Sequence, residues 1–347
     1  MFCTSEERIS SILAKYFTSP SWIVEEKESG VNNTTRYIRM NGALYVLRIY
    51  ENHADEQKAA FEHAVLRALG EARLPYAVPQ PCLSLEGGTY VFSGDGKLAV
   101  LFHYIEGERA ELDISEVALA AGEAVGQLTA ALEQVKIADA PAYEPYYDIY
   151  HVHPLVSREV LRTWLEEMRG LGMKDEAESV RNALDGLEQS LPELLQLPVQ
   201  LVHSDIVYGN MLASGDRITA VLDFEFVTPD WRAMELGVFL AELFPPDRLG
   251  SPEAEEACWQ AAERALEGYG RAAGLTKAEL QALPQLVLLR RLVLVPHFLG
   301  RSLAGVEAED RAQYYLAGFA KVQRLIAEQG LRLTALAERY IRKEQQA

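Results

Sequence analysis

The sequence predicts an α+β protein with a small antiparallel β lobe, which contains one inserted helix, and a larger, mostly helical lobe. Strand and hairpin signals are concentrated between residues 22 and 105, and a single helical segment interrupts them. Beyond Gly107 the apolar spacing is helical almost throughout, apart from a central hairpin. We therefore expect about two domains in the 347 residues, an N-terminal lobe over 1–105 and a C-terminal lobe over 106–347.

The N-terminal lobe is predicted to begin with a short helix and to continue as a sheet. Ser5 to Phe17 has the apolar spacing of a helix. Asn41-Gly42, between two runs of β-branched and aromatic residues, is the strongest short hairpin signal in the chain. Gly87-Gly88 and Asp95-Gly96 separate further short strands, and the inserted helix is expected from Asp55 to Leu69.

The C-terminal lobe is predicted to consist of helices joined by turns. A long amphipathic helix is expected from Ile114 to Leu132, and further helices from Val156 to Leu191. Another helix is expected to begin near Asp230, and helices alternate with short turns from Glu253 onwards. Glycine-containing sites mark the expected turns, namely Gly268 to Gly270, Leu299-Gly300 and Gly330.

Composition favours a soluble protein that does not bind nucleic acid. An apolar content of 49% and a charged content of 24% are ordinary for a globular chain. The chain has 51 acidic and 33 basic residues, and its formal net charge of −18 is the opposite of what a nucleic acid attracts. The charge is compatible with a cationic substrate, although a solvated acidic surface is the commoner cause.

No segment predicts a membrane span or secretion. The N-terminal residues MFCTSEERISS carry acids where a signal peptide would carry basic and apolar residues. The most apolar late stretch, Leu286 to Leu299, is interrupted by Arg290, Arg291 and Pro296, so a buried helix is expected there. Widely separated cysteines predict neither disulfides nor a zinc cluster, and their reduced state suits the cytoplasm. They are Cys3, Cys82 and Cys258.

The central hairpin carries the residues that indicate chemistry. The apolar run from Val199 to Val202 ends in His203, and Asp205 and Asn210 follow at the spacing His-x-Asp-x-x-x-x-Asn. After turn residues around Gly215, a second run of β-branched residues ends on Asp223. In an antiparallel hairpin, Asn210 and Asp223 lie at the same open end, about 5 Å apart, and Asp205 lies in the loop that leads to it.

These three side chains together predict phosphoryl transfer. The oxygen ligands Asn210 and Asp223, with room for phosphates and water, suit Mg²⁺ better than Zn²⁺. Asp205 is not needed as a ligand and could orient and deprotonate a hydroxyl group. Kinase-type enzymes divide the labour in this way. Taken singly, each residue is more often explained by turn chemistry than by catalysis, so the prediction depends on their joint spacing.

The motifs HSDIVYGN and VLDFEF resemble the catalytic and metal-binding motifs of the aminoglycoside phosphotransferase and choline kinase-like superfamily, which includes type II homoserine kinases. The resemblance spans about residues 20–320 and is specific only from His203 to Asp223. It implies a bilobal protein-kinase-like fold, with a nucleotide-binding N-terminal lobe and a catalytic, substrate-binding C-terminal lobe. Ser204 replaces the glycine common in relatives, and Glu235 stands where relatives usually have an aspartate that braces the catalytic loop.

The resemblance also implies nucleotide-binding residues in the N-terminal lobe. Arg48 stands where kinases place a lysine that holds the α- and β-phosphates, and Glu62 is its expected partner, with Glu56 the less favoured alternative. A loop with only one glycine is expected to cover the phosphates, and the hinge is expected to hold adenine through main-chain groups. The loop residues are Gly30, Asn32 and Asn33, and the hinge residues are His103, Tyr104 and Ile105.

The sequence therefore predicts a kinase that uses ATP and Mg²⁺ to phosphorylate a hydroxyl group of a small molecule. Homoserine, an amino alcohol, a sugar and an aminoglycoside all remain open as acceptors. An atypical bacterial protein kinase and a non-catalytic, spore-coat-type homologue remain as alternatives. The tyrosine-rich segment from Pro141 to Pro154 is interpreted as aromatic packing, in preference to a wall of the substrate site.

Overall fold

The fold consists of an N-terminal antiparallel sheet with two helices and a larger helical part with short β-ribbons. The structure is a computed structural model and describes residues 5–25, 33–51, 55–110, 115–137 and 143–344. The helices are α1 (Ser5–Leu13), α2 (Glu56–Glu71), α3 (Ser115–Gln134), α4 (Arg158–Gly170), α5 (Lys174–Leu194), α6 (Arg232–Glu242), α7 (Pro252–Ala272), α8 (Lys277–Leu303) and α9 (Glu309–Tyr340). The predicted α+β class, with a small β part and a large helical part, is confirmed.

The strands form one five-stranded sheet and three smaller ribbons in the part of the chain that is described. They are β1 (Ile23–Glu25), β2 (Asn33–Met40), β3 (Ala43–Tyr50), β4 (Val91–Phe92), β5 (Leu98–His103), β6 (Glu108–Arg109), β7 (Val199–Val202), β8 (Met211–Ser214), β9 (Arg217–Val221), β10 (Thr228–Trp231), β11 (Gly274–Thr276) and β12 (Arg342–Glu344). The large sheet has the order β1-β2-β3-β5-β4, and the ribbons pair β6-β8-β9, β7-β10 and β11-β12.

The N-terminal sheet is built around the predicted Asn-Gly hairpin. Asn41 and Gly42 have φ values of 51° and 80° and join β2 to β3, with Met40 opposite Ala43. Positive φ at both central residues gives a turn whose twist matches that of the flanking strands. α2 begins at its N-cap residue Asp55, whose carboxylate accepts the backbone N–H groups of the next turn. The inserted helix is thus anchored at its predicted start.

Three of the turns predicted in the C-terminal part are wrong, because their glycines lie within helices. Gly268 and Gly270 lie within α7, Gly300 within α8 and Gly330 within α9. A Cβ atom at Gly268 would lie 2.0 Å from the Leu119 carbonyl oxygen of α3, and one at Gly300 would lie 2.1 Å from the His153 ring. These glycines allow neighbouring chain segments to approach closely, which is a different use from the turns for which glycine is the usual signal.

The region after the central hairpin also differs from the prediction. Asp230 was expected to begin a helix, but it lies in β10, where it pairs with Gln200 of β7. The helix begins two residues later, at Arg232. Tertiary pairing with β7 decides the conformation of this short segment, whose local pattern favours a helix start.

The apolar segment near residue 290 belongs to a packed helix. α8 is, by length and composition alone, the one helix in the described chain that could cross a membrane. However, 61% of its most apolar window is buried inside the protein. Its partners are α6 and α9, so its apolar faces contribute to the main core.

Candidate active site

The hairpin of β8 and β9 brings Asn210 and Asp223 to one end, as the sequence predicts. β8 begins directly after Asn210, and Met211 pairs with Val221 across the ribbon. The Leu222 N–H donates to the Asn210 carbonyl at 2.7 Å, which extends the pairing by one residue. Asp223 follows with a φ of 67°, a left-handed conformation that ends the strand.

Asp205 lies on the loop between β7 and β8, beside Asn210. The Asn210 amide nitrogen donates to the Asp205 main-chain carbonyl at 2.9 Å and to Asp205 Oδ2 at 3.1 Å. The preceding residue, Ser204, has a φ of 67°. Ser204 therefore occupies a conformation that glycine adopts without strain.

Two buried side chains hold this loop. His203 receives the Asp205 N–H on Nδ1 at 3.2 Å and donates from Nε2 to the Leu222 carbonyl at 2.9 Å, which ties the loop to the strand before Asp223. Burial lowers the pKa of His203, so the ring is neutral and can serve as both acceptor and donor. Glu235 of α6 accepts the His203 N–H at 2.5 Å, and burial raises the pKa of its carboxyl to about 8. Glu235 thus occupies the bracing position that the resemblance implies.

Arg48 of β3 joins the small sheet to the hairpin. Its Nη1 lies 3.6 Å from Glu62 Oε1 and 3.1 Å from Asp223 Oδ1. Tyr50 donates from its hydroxyl to Glu62 Oε2 at 2.8 Å. Glu56, the alternative partner, instead accepts a hydrogen bond from Tyr90 at 2.6 Å. The structure thus pairs Arg48 with Glu62 and adds Asp223 to the same cluster.

The remaining residues expected to bind nucleotide lie in different places. Gly30 and Asn32 fall outside the described residues. Asn33 is the first residue of β2, and its side-chain amide donates to Glu225 Oε2 at 2.8 Å. The hinge residues follow one another at the end of β5 and lead out of the small sheet. His103 is exposed, and its ring centroid lies 5.6 Å from that of Tyr45. The Tyr104 N–H donates to the Leu44 carbonyl at 3.2 Å. Ile105 is half-buried.

The donor set at the hairpin end fits a hard divalent cation. The Asn210 amide nitrogen is used by Asp205, so its carbonyl oxygen is the group left for a cation. Asp223 Oδ1 is buried and, beyond its ion pair with Arg48, has no hydrogen-bond partner among the described residues. Within the same ranges, no group of three or more His, Cys, Asp or Glu side chains could hold a metal ion. Oxygen donors of this kind suit Mg²⁺, with phosphates and water completing the shell.

Three residues at the site were not singled out from the sequence. Arg290 of α8 donates to Asp205 Oδ1 at 2.6 Å, and Tyr146 accepts from Arg290 at 2.7 Å and donates to the Ser204 carbonyl. Tyr146 therefore borders the site, and the packing interpretation of its segment was incomplete. Glu225 lies beside Asp223, and burial and this neighbour raise the pKa of its carboxyl to about 7. The acidic DFEF motif was the available signal for Glu225, whereas the only local signal for Arg290 was a charge that interrupts an apolar run.

Comparison with known proteins finds matches over most of the chain. Residues 24–283 match the profile of the APH family, described as the phosphotransferase enzyme family. The homoserine kinase of Zymomonas mobilis subsp. mobilis is 25% identical over 288 residues, which cover 82% of this chain and 83% of that protein. The homoserine kinase of Methylobacterium nodulans is 27% identical over 244 residues, covering 70% and 71% respectively.

Solved structures with the same fold include kinases of small molecules. An amicoumacin kinase in complex with AMP-PNP and Ca²⁺ has a TM-score of 0.67 and 16% identity, with 92% of each chain covered. A microcompartment-associated aminopropanol kinase has a TM-score of 0.67 and 19% identity, with 93% of this chain and 97% of that chain covered. At these identities the similarity establishes the fold, which is the bilobal protein-kinase-like fold expected from the motifs.

Proposed function

The chain belongs to the phosphotransferase enzyme family, and on that premise we propose that it transfers the γ-phosphoryl group of ATP to a hydroxyl group of a small molecule. The observation that carries the proposal is the meeting of Asp205, Asn210 and Asp223 at one end of the β8–β9 hairpin, facing Arg48 of the small sheet. The proposed acceptor is a small aliphatic alcohol that bears an amino group, because relatives and neighbours include homoserine kinases and an aminopropanol kinase.

Asp205 is the proposed base. Its carboxylate is half-buried and is oriented by the Asn210 amide. The loop that carries it is fixed from behind by His203 and Glu235. A carboxylate oriented in this way can accept the proton of an acceptor hydroxyl as its oxygen attacks the γ-phosphorus.

Arg48 is the proposed phosphate-binding residue. The Arg48 side chain is 17% exposed, and its guanidinium is held between Glu62 and Asp223. Two acidic neighbours compensate its charge and set its position before nucleotide arrives, so little rearrangement is needed on binding. Its planar fork can donate to two oxygens of a phosphate group.

Asn210 and Asp223 would hold Mg²⁺, which supplies compensation for the negative charge of the phosphates when it is bound. Asn33, Gly30 and Asn32 are proposed to border the phosphates, and the main chain at His103, Tyr104 and Ile105 is proposed to receive the base.

The two lobes are proposed to divide near residue 105. β5 ends at His103 in the large sheet, and β6 from Glu108 pairs with β8 of the hairpin.

The decisive experiment compares Asp205→Asn with the matched surface variant Asp216→Asn. Asp216 lies in the exposed turn of the same hairpin. ATP consumption is measured with homoserine, 3-aminopropan-1-ol, choline and an aminoglycoside, and nucleotide affinity is measured by calorimetry. Asp205→Asn should lower the turnover rate about 10²–10⁴-fold and leave nucleotide affinity within a few-fold, whereas Asp216→Asn should match the wild type.

Two outcomes would contradict the proposal. Undiminished turnover by Asp205→Asn would remove the assigned base. If radiolabelled ATP labels protein bands in a cell extract and none of the small molecules, the protein-kinase alternative would replace the small-molecule one.

A further inference from the structure

Arg290 is the feature of the site that the proposed reaction leaves unexplained. α8 places its guanidinium against the candidate base, with Nη2 donating to Asp205 Oδ1 at 2.6 Å and Nη1 to the Tyr146 hydroxyl at 2.7 Å. The side chain is 12% exposed. Its Nε is buried and has no hydrogen-bond partner in the described ranges. A buried cation with an unused donor therefore lies where the acceptor hydroxyl has to approach Asp205.

The charge of Arg290 lacks a dedicated partner. Arg301, on the same face of α8, is compensated by Glu307 at 3.2 Å. Arg291 points to α6, where it donates to the Ala241 carbonyl and lies 3.8 Å from Glu242. The carboxylate that Arg290 contacts is Asp205, the group that the reaction itself requires, and Glu242 acts on the Arg290 charge only from a longer distance.

The two histidines on this wall carry no charge near pH 7. His297 lies two turns along α8 from Arg290, and burial together with Arg301 and Arg290 lowers its pKa to about 4. Burial and Arg301 likewise lower the pKa of His153, whose ring packs against Gly300. Both rings are neutral near pH 7. The wall beside Asp205 is thus cationic at Arg290 although the whole chain carries a net charge of −18.

We propose that Arg290 is a specificity-determining residue that binds a carboxylate of the acceptor, so that the preferred acceptor is a hydroxy amino acid and not the corresponding amino alcohol. A guanidinium fork binds a carboxylate through two parallel hydrogen bonds, and Nε is available for one of them. Once Arg290 turns to the acceptor's carboxylate, Asp205 Oδ1 can receive the acceptor's hydroxyl. An acceptor without an acid group leaves Arg290 on Asp205, in competition with that hydroxyl. This inference rests on the proposed phosphotransferase function.

The test uses pairs of acceptors that differ only by the carboxylate. The pairs are homoserine with 3-aminopropan-1-ol, threonine with 1-aminopropan-2-ol, and serine with ethanolamine. For at least one pair, the wild type should favour the acid about 10- to 100-fold in kcat/KM, the value of a charged hydrogen bond. Arg290→Gln should bring this ratio close to one, mainly through a higher KM for the acid. Arg290→Lys should retain part of the preference, and Arg291→Gln should retain all of it.

Different outcomes separate this inference from the proposed function. Absence of an acid preference in the wild type would overturn the inference. An equal loss of kcat/KM for both members of a pair in Arg290→Gln would also overturn it, because Arg290 would then contact the transferred phosphoryl group. Calorimetry with the same probes covers the case of no turnover. Binding of an acid to the wild type, more weakly to Arg290→Lys and not to folded Arg290→Gln, would support the carboxylate site even though the phosphotransferase proposal failed. If no acid binds the wild type, the inference is wrong.

Discussion

At the scale of single residues, the two motifs that carry Asp205 and Asp223 both pass through left-handed backbone at a residue that is not glycine. Ser204 and Asp223 each have a φ of 67°. Such a conformation costs a residue with a Cβ about 1–2 kcal/mol. At Asp223 the side chain has a proposed role in metal binding. At Ser204 the hydroxyl is buried and has no hydrogen-bond partner among the described residues, so its strain has no compensation there.

Ser204→Gly is therefore expected to stabilise the protein. Glycine removes the backbone strain and the unpaired hydroxyl. These gains are larger than the cost of the extra entropy that glycine loses on folding, so the net stabilisation should be about 0.5–1 kcal/mol. Urea unfolding measures the difference, and kcat should stay within a few-fold of the wild type. Ser204→Ala is the control, because it removes only the hydroxyl and keeps the strained backbone. If glycine stabilises no more than alanine does, backbone strain at this position is not the cause.

The sequence predicts the residues of the site only where a motif holds them together. Asp205, Asn210 and Asp223 lie within 19 positions, on one hairpin and the loop that leads into it, so their spacing predicted that they lie close together. Arg290 lies 85 positions from Asp205, and its only local signal was a charge that interrupts an apolar run. That charge favoured a buried helix over a membrane span, but a single sequence cannot say which distant side chain a buried arginine meets.

At the scale of elements, the catalytic loop is held by a carboxyl group that burial keeps protonated. The folded pKa of Glu235 is about 8, compared with an ordinary value of 4.5. The folded state therefore binds a proton that the unfolded state has released at intermediate pH. This contribution to stability is complete below about pH 4.5 and is lost as the pH rises through 8.

Glu235→Gln is expected to remove this pH dependence, since the amide can still accept the His203 N–H and has no proton to release. The stability of the wild type relative to Glu235→Gln should fall between pH 5 and pH 8 with a slope of up to ~1.4 kcal/mol per pH unit. Urea unfolding at pH 5, 6, 7 and 8 gives both curves, and titrations at other sites cancel in the difference. Parallel curves would mean that Glu235 is ionised in the folded protein.

Glycine within the helices is the second feature of the element scale. Gly122 of α3 and Gly268 of α7 face each other's helices, and a Cβ at Gly122 would lie 2.0 Å from the Ala265 carbonyl oxygen. The local sequence signal of glycine is the same for a turn and for a close helix contact. The turns expected at Gly268, Gly300 and Gly330 were therefore wrong, while the helices on either side were predicted.

Gly268→Ala should destabilise the protein by at least ~2 kcal/mol, because the added methyl group forces α3 and α7 apart. Gly186→Ala is the matched control. Gly186 lies in α5, and a Cβ there would meet nothing within 4 Å, so alanine should be neutral or stabilising by up to ~1 kcal/mol. Thermal and urea unfolding of both variants test the contrast. Equal effects at the two positions would show that helix propensity, and not interhelical contact, explains the glycine in α7.

At the scale of the whole molecule, the small sheet and the helical part meet through polar contacts at the site. Arg48 pairs with Asp223 and Asn33 with Glu225. Behind them, Ala77 pairs with β9, receiving the Val221 N–H at 3.0 Å and donating to the Thr219 carbonyl at 2.9 Å. The two-part architecture was predictable from hairpin and helix periodicity. The contacts between the parts were not, because they join residues that share no local pattern.

Since Asp223 contributes both to the proposed metal site and to the contact between the lobes, metal binding should be measurable as stability of the whole chain. Mg-ATP at about 100 times its Kd should add about 2.7 kcal/mol, which corresponds to a Tm increase of about 4 °C for a chain of this length. Asp223→Asn keeps the shape of the side chain but removes the charge. Its response to Mg-ATP should fall to the smaller response that the wild type shows to ATP with EDTA.

The control for this last measurement is again Asp216→Asn, which should respond as the wild type does because Asp216 is exposed in the turn at the other end of the hairpin. The Tm of each protein without nucleotide separates a loss of binding from a general loss of stability. A full Mg-ATP response in Asp223→Asn would place the metal elsewhere. Asp223 would then serve to position Arg48, and the charge compensation proposed for the phosphates would have to come from other groups.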